Sequence, residues 1–222
     1  MEHRVKIKSI GLISYNILAL VVEKPHGFEF EPGQATELSI DQEKWRNEKT
    51  PFSFTNLPTD PDLEFTIKVY PERNGVTEKL SSLNSGDVLI IRDAFGAIQY
   101  KGKGTFLAGG AGITPFIAIL KSLEYQDQLN DNRLVFANKE ERDIFLKDEF
   151  KTLLGRRFLN ILSEEKTAGH RFGLIDKEFL KSEISDFSQY FYVCGPPAMV
   201  NDVVSTLREL GAEERSIVIE SL

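Results

Sequence analysis

Hydrophobic and polar residues alternate with a period of two through much of the first hundred residues, as in the run Val5-Lys6-Ile7-Lys8. This alternation is typical of strands that bury one face. Glycine and proline separate the runs, and Thr77 is in a position to cap one short helix at 77–83. The predicted strands are 5–10, 15–22, 35–40, 52–55, 63–70 and 87–92. Many short strands between such turns predict a small antiparallel barrel or sandwich.

The pattern changes after Gly102, where short apolar runs alternate with segments of helical periodicity. Strand followed by helix, repeated several times, predicts a parallel sheet covered by helices. The predicted strands are 105–108, 134–137, 158–162, 190–193 and 216–219, and the predicted helices are 114–123, 145–154, 177–184 and 198–210. We therefore expect a β domain at 1–101 and an α/β domain at 102–222.

The composition is that of a globular protein and argues against a nucleic-acid-binding or membrane-spanning one. The chain has 222 residues, 41% of them hydrophobic and 27% charged, as in an ordinary globular protein with two domains. Its net charge of −7 argues against nucleic acid as the main partner. No apolar run is long enough for a signal peptide or a membrane span, so we expect a cytoplasmic protein.

The only cysteine, Cys194, excludes an intrachain disulfide and a four-cysteine iron–sulfur cluster. It favours a reducing compartment. We expect no metal site in the chain, and any iron–sulfur centre to lie on a separate protein.

Two motifs in the second half carry possible chemistry. Gly109-Gly110-Ala111-Gly112-Ile113-Thr114-Pro115 follows a predicted buried strand and opens a helix. Such a turn lets a pyrophosphate approach the helix N-terminus, although a tight strand–helix connection explains it equally well. Cys194-Gly195-Pro196-Pro197 follows another strand, at the sheet edge where ligands bind in open α/β folds. The simpler interpretation there is a small buried residue before a proline turn.

Two motifs in the first half are weaker. Thr50-Pro51-Phe52-Ser53 places an aromatic ring beside a hydroxyl, a pair able to cover a flat ring and contact its edge. An ordinary barrel strand is the alternative. Gly75-Val76-Thr77 combines a turn, a hydroxyl and a helix start, which is either an anion site or a simple cap.

Taken in order along the chain, these motifs resemble those of the ferredoxin–NADP reductase superfamily, over almost the whole sequence. Phe30-Glu31-Pro32-Gly33-Gln34 is similar to that family's F-x-P-G-Q turn, and Gly86-Asp87 followed by Gly96 is similar to the end of its barrel. The four motifs described above match its flavin strand, phosphate turn, nicotinamide loop and C-G-P-P turn. The resemblance implies a six-stranded antiparallel Greek-key flavin-binding barrel followed by an α/β parallel-sheet nucleotide-binding domain.

The resemblance also implies roles for individual residues. Phe52 would pack on the flavin ring, Ser53 would hydrogen-bond near its reactive nitrogen, and Glu220 would be the family's carboxylate close to the flavin. Cys194 would orient the nicotinamide as a packing group, and Ser53, Cys194 and Glu220 are the catalytic candidates. The candidate FAD contacts are Thr50, Pro51, Phe52, Ser53, Gly75, Val76 and Thr77. The candidate contacts of the nicotinamide dinucleotide are Gly110, Gly112, Ile113, Thr114, Cys194, Gly195, Pro196 and Pro197.

Thr50 departs from the family pattern, because relatives carry an arginine there that grips the flavin phosphate. A threonine offers one hydrogen bond and no charge-assisted pair. Lys49 or Arg73 would have to compensate, or FAD binds more weakly, or FMN takes its place. The phosphate turn at Gly75 favours FAD over FMN.

The choice between NADH and NADPH depends on Ser163-Glu164-Glu165, where NADP-selective relatives carry Ser-Arg. Two carboxylates would repel a 2′-phosphate, so NADH is favoured as the co-substrate. Arg171 folding back towards them would reverse this prediction. Asn138-Lys139 is either a further ligand contact or part of a surface loop.

The function implied is electron transfer from NADH or NADPH, through bound FAD, to a one-electron carrier such as ferredoxin or flavodoxin. Three alternatives stay open: a free-flavin reductase, an electron-transfer subunit of a larger enzyme, and a nucleotide-binding module without catalysis.

Overall fold

The computed structural model describes residues 1–96, 98–129 and 131–220, and the side chain of Arg73 lies outside the described part. The chain divides into two compact units. One comprises Met1–Ala97 with Thr114–Ser122, and the other comprises Ile98–Ile113 with Leu123–Leu222.

The first unit contains a six-stranded antiparallel sheet in the order β4-β3-β6-β1-β2-β5. In β5 every second residue is buried, and Leu63, Phe65 and Ile67 point into the core. Phe54 lies fully buried among these residues and stacks on Phe30 at a centroid distance of 4.2 Å. The strands are β1 (Glu2–Ser14), β2 (Ile17–Glu23), β3 (Ala35–Ile40), β4 (Thr50–Ser53), β5 (Asp62–Lys68) and β6 (Val88–Arg92).

The two outer strands of this sheet approach each other, since the Thr55 N–H just after β4 donates to the Glu64 carbonyl in β5 at 2.9 Å. The sheet therefore curves towards a barrel, as the alternation of buried and exposed residues predicts.

The short helix α1 (Val76–Ser81) begins one residue earlier than the sequence predicts. Gly75 is its N-cap residue and adopts extended backbone, with no side-chain cap. The prediction that Thr77 caps this helix is wrong. Thr77 lies one position inside the helix, where its hydroxyl accepts a hydrogen bond from the Tyr70 N–H at 3.3 Å.

The second unit contains a six-stranded parallel sheet in the order β10-β9-β8-β7-β11-β12. Each strand pairs in register with its neighbour, so their carboxyl ends form one edge. The strands are β7 (Gly104–Gly109), β8 (Arg133–Asn138), β9 (Phe158–Leu162), β10 (Arg171–Phe172), β11 (Tyr190–Cys194) and β12 (Ile217–Ile219). The predicted fold class is confirmed. The two-residue strand β10 was not predicted.

Four further helices follow strands of this sheet: α2 (Thr114–Tyr125), α3 (Lys147–Leu154), α4 (Lys177–Glu183) and α5 (Pro197–Glu209). Apolar residues of α4 and α5 pack against one face, around Leu107, Val135 and Val193. On the opposite face Phe150 of α3 contacts Phe158 of β9. No helix in the described residues is long and apolar enough to cross a membrane.

The connection into β7 is fixed by Tyr192, which is fully buried. Its hydroxyl donates to the Gly102 carbonyl at 2.7 Å and accepts from the backbone N–H groups of Lys101 and Gly102. Burial raises the pKa of Tyr192 to about 12. A neutral phenol therefore holds this glycine-containing segment in place.

Candidate nucleotide-binding and flavin-binding sites

The glycine-rich turn lies at the carboxyl end of β7. Gly110–Ile113 form a single 3₁₀ turn between the strand and α2, which begins at Thr114. Gly110 has φ of +51°, and a Cβ built on it would meet nothing within 4 Å. A glycine is needed there for the backbone conformation, and the space beside it is open to a ligand. Ile113 is fully buried, so its contribution to this turn is packing.

The other glycines of the turn are needed for close packing of the protein itself. A Cβ on Gly112 would lie 2.4 Å from the Cys194 carbonyl carbon and oxygen. A Cβ on Gly109 would lie 2.3 Å from Met199 Sδ, and one on Gly195 would lie 3.1 Å from the backbone of Gly109. The turn after β7 and the turn after β11 therefore press directly on each other. The interpretation as a tight strand–helix connection explains Gly109 and Gly112, whereas the ligand site proposed at Gly110 stays a prediction.

Cys194 ends β11 and is 7% exposed. Its thiol donates to a Glu220 carboxylate oxygen at 3.8 Å, because the parallel register places Glu220 beside it, one residue past β12. Burial, together with the nearby Glu220 charge, raises the pKa of the Cys194 thiol from 9.0 to about 12. At neutral pH this cysteine is a thiol, which suits a packing and orienting group and not a nucleophile.

The two prolines after Gly195 shape the start of α5. Pro196 occupies the N-cap position and Pro197 is the first helical residue, where no N–H is required. Pro196 and Pro197 are exposed, so this turn lies at the surface at the carboxyl edge of the sheet. Sequence connectivity places Thr114 directly after the glycine turn, at the first position of α2.

In the first unit, the proposed flavin strand β4 is the outermost strand of the sheet. Thr50, Phe52 and Ser53 pair with Leu38, Thr36 and Ala35 of β3. Phe52 is half-buried against the barrel core, Ser53 is half-buried and Pro51 is exposed. An aromatic face and a hydroxyl thus remain partly accessible on an edge strand, as a flavin contact requires.

Gly75, Val76 and Thr77 form the N-terminal end of α1, directly after Asn74 in the left-handed conformation. All three are half-buried. Lys49, one candidate to compensate for the missing arginine, has its ammonium 3.9 Å from a Glu37 oxygen and is about half exposed. The other candidate, Arg73, has its side chain outside the described part of the chain.

The acidic residues after β9 are held by residues after β8. The backbone pairing of the strands continues into the loops, where Ser163 N–H donates to Asn138 and Glu164 N–H donates to the Lys139 carbonyl. The Lys139 ammonium lies 2.7 Å from Glu164 Oε1, and Glu165 Oε2 accepts from the Glu141 N–H at 2.6 Å. These pairings were not predicted, because residues 24 and 25 positions apart meet only through the strand register.

Arg171 forms an ion pair with Glu183 in α4 and does not fold back towards Glu164. Asn138 is buried, so it is not part of the loop surface, whereas Lys139 is exposed. The Lys139 ammonium and the carboxylates of Glu164 and Glu165 therefore lie together in the loops after β8 and β9.

Two family models match consecutive parts of the chain. Residues 2–108 match an FAD-binding domain, and residues 106–205 match an oxidoreductase NAD-binding domain. The chain belongs to the ferredoxin–NADP reductase superfamily. The cofactors implied by the resemblance, FAD and a nicotinamide dinucleotide, are confirmed by these two matches.

Relatives in this superfamily differ in electron acceptor. NADH-cytochrome b5 reductase 1 of Emericella nidulans is 32% identical over 181 residues, which are 72% of this chain and 57% of the relative. The ferredoxin–NAD(P)(+) reductase component of the naphthalene 1,2-dioxygenase system of Pseudomonas putida is 24% identical over 94% of this chain and 65% of its own length. The chain thus spans about three fifths of the length of these relatives.

Solved structures confirm the fold. A ferredoxin NADP+ reductase from Neisseria gonorrhoeae with bound FAD and NADP superposes with a TM-score of 0.85, at 20% identity, over 98% of this chain and 97% of that one. The FAD/NAD-binding domain of a nitric oxide dioxygenase from Vibrio cholerae gives 0.87 at 18% identity, over 99% of this chain and 98% of that one.

Proposed function

We propose that this protein is a flavoprotein reductase that takes electrons from NADH or NADPH and passes them, through bound FAD, to a one-electron carrier protein. When bound, the dinucleotide would supply a hydride to the flavin, which would pass the two electrons on one at a time and release the proton to solvent. The observation that carries the proposal is the open space beside Gly110, at a turn that follows a buried strand and leads into a helix. The match to FAD-binding and NAD-binding domains supports it.

The residues of the chain bind and orient the two cofactors in this proposal. Phe52 covers the flavin ring and Ser53 donates a hydrogen bond at its reactive edge. Gly75, Val76 and Thr77 receive the FAD phosphates. The Thr77 hydroxyl accepts from the Tyr70 N–H, and among the described residues its proton is left to donate to a phosphate oxygen. The turn at Gly110 and the backbone after Cys194 hold the dinucleotide, and the neutral Cys194 thiol orients the nicotinamide.

We propose NADH as the preferred co-substrate. Glu164 and Glu165 lie past the end of β9, and Arg171 is engaged with Glu183 on α4. Two carboxylates at that end of the sheet favour a ribose hydroxyl over a 2′-phosphate. For the carrier we propose ferredoxin, flavodoxin or another small redox protein, since relatives named for cytochrome b5 and for ferredoxin show that this fold serves both kinds.

The experiment that tests this function is an anaerobic absorbance titration of the purified protein with NADH and then with NADPH. We expect a yellow protein whose flavin bands are bleached by a stoichiometric amount of nucleotide, faster with NADH. A protein that stays colourless after FAD is added would reject the flavoprotein function.

A free-flavin reductase is the second candidate, and the threonine at position 50 favours it. Without an arginine at that position, flavin phosphate loses a bidentate charge-assisted contact and dissociates more readily. Gel filtration separates the two candidates, because a bound cofactor elutes with the protein whereas a flavin substrate elutes after it.

A further inference from the structure

Helix α2 carries a single charged residue, Lys121, in the stretch that belongs to the first unit, Thr114–Ser122. The five residues before Lys121, 116–120, are apolar and buried. Lys121 itself is half-buried at the end of this apolar run. Because a lysine in such a place loses part of its contact with water, its ammonium needs a polar partner from the protein.

The partner of Lys121 is a backbone carbonyl of the barrel. Its Nζ donates to the carbonyl oxygen of Thr55, two residues past β4, at 3.0 Å. Thr55 is 2% exposed. Its N–H donates to the Glu64 carbonyl, and its hydroxyl accepts a hydrogen bond from the Thr66 hydroxyl at 3.3 Å. Lys121 thus pairs the remaining polar group of a residue that is otherwise fully hydrogen-bonded.

No carboxylate among the described residues forms an ion pair with the Lys121 ammonium. Glu124, three positions further along α2, is exposed and does not pair with it. A carbonyl oxygen satisfies the N–H donor but carries no charge that could neutralise it. A full positive charge therefore stays at the end of the strand that carries Ser53.

The distance from this charge to Ser53 follows from chain geometry. Thr55 lies about 7 Å beyond Ser53 in extended chain, which places the Lys121 ammonium within roughly 12 Å of Ser53. A hydride carries two electrons and one proton, so its acceptor gains one negative charge. A cation at this separation attracts that charge, because the effective dielectric constant in and near protein is about 20 and not 80.

We propose that Lys121 makes the bound flavin easier to reduce, by holding an unpaired positive charge beside the flavin strand β4. This inference rests on the proposed function and deepens it, since it assigns the electron affinity of the flavin to a residue outside the cofactor-contact motifs. The Thr55 carbonyl fixes the position of the ammonium without cancelling its charge, as a carboxylate would.

The test compares the variants K121M and K121R with the unchanged protein. The potential of bound FAD is measured by equilibrium with a reference dye during anaerobic reduction by dithionite, so neither nucleotide nor carrier takes part. We expect K121M to shift this equilibrium about tenfold towards the oxidised flavin. For a two-electron couple, this shift lowers the potential by about 30 mV. K121R keeps the charge and the donor, and it should keep the potential.

A matched control is K24M. Lys24 is also half-buried and donates to a backbone carbonyl in the loop after β4, that of Pro58, five residues past Ser53. K24M therefore removes the same charge and the same kind of hydrogen bond, further along the chain from the flavin strand. Urea unfolding should show a similar loss of stability in K24M and K121M, whereas only K121M should lower the potential.

Three outcomes would overturn the inference: a K121M variant whose bound FAD keeps its potential, a K121R variant whose potential falls as far as that of K121M, or a K24M variant with the same fall. In each of these cases FAD is bound and reduced, so the proposed function stands. A protein that binds no FAD would instead reject the proposed function, and this inference with it.

Discussion

The Cys194 thiol lies 3.8 Å from a Glu220 oxygen at the end of β11, in a position that is almost fully buried. Its raised pKa means that the folded protein holds this proton more tightly than the unfolded chain does. The protonated Cys194 thiol therefore makes its full contribution to the free energy of unfolding below pH 9.0. This contribution is lost as the pH rises towards about 12.

Above pH 9.0 we expect the free energy of unfolding of the protein to fall, relative to that of the variant C194S, by about 1.4 kcal/mol per pH unit. Urea unfolding of both proteins across the window measures the difference, and contributions from Tyr192 and the lysines cancel in it. A difference that does not change with pH would show that the thiol is not buried as described.

Ser53 is the second residue whose role is testable by one substitution. We expect S53A to slow flavin reduction by NADH roughly tenfold, the effect of losing one hydrogen bond of about 1.4 kcal/mol. FAD content should not change, because the hydroxyl makes only one of many proposed contacts. Anaerobic stopped-flow absorbance measures the rate, and S182A, which removes a serine hydroxyl from α4, is the control. Equal rates for S53A and the unchanged protein would discard the assigned role.

At the level of elements, the turn after β7 combines a ligand site with a packing contact, and two alanine substitutions separate them. In G112A the new methyl group would meet the Cys194 carbonyl at 2.4 Å, so we expect a loss of about 1–3 kcal/mol in unfolding free energy. In G110A no atom lies within 4 Å, and the cost is about 1 kcal/mol for the left-handed backbone.

Nucleotide binding should distinguish the same two variants. G110A places a methyl group in the space proposed for the dinucleotide, so the KM for NADH should rise while the protein stays folded. Urea midpoints and KM values measured together check this. An unchanged KM for NADH in G110A would show that the dinucleotide does not occupy the space beside Gly110.

On the scale of the whole molecule, FAD binding and folding are linked, because a ligand that binds only the native state stabilises it. Thr50 stands where relatives carry an arginine. We expect T50R to tighten FAD binding about tenfold and to stabilise the protein at saturating FAD by about 1.4 kcal/mol. Thermal unfolding at several FAD concentrations measures both. The control T152R adds the same charge to an exposed position of α3, and equal effects of the two variants would refute a contact at position 50.

Much of the fold follows from local sequence. Alternating and apolar runs bounded by turn residues give β3 and β9 with the predicted limits, and most other elements to within a few residues. Strand β10 was missed because Arg171 and Phe172 are both exposed, so neither alternation nor apolarity marks them. Thr77 was predicted as the cap because threonine is a preferred N-cap residue. Residue preference alone does not reveal that the helix begins after Gly75, which occupies the N-cap position.

The sequence by itself determined the family of this protein. Its glycine and proline turns and the order of its motifs led to that family, and the matches to FAD-binding and NAD-binding domains confirm it. These features are local, because each depends on the residue types within one turn or one strand. The roles assigned to individual site residues stay predictions.

Only the tertiary structure decided which distant residues meet. Cys194 and Glu220 are brought together by the pairing of β11 with β12, and Lys139 and Glu164 by the pairing of β8 with β9. The tertiary structure also decided that Gly112 is needed for packing and Gly110 for open space. The physical reason is that strand register and contact between turns depend on how the whole sheet is assembled, and no local pattern of residues encodes them.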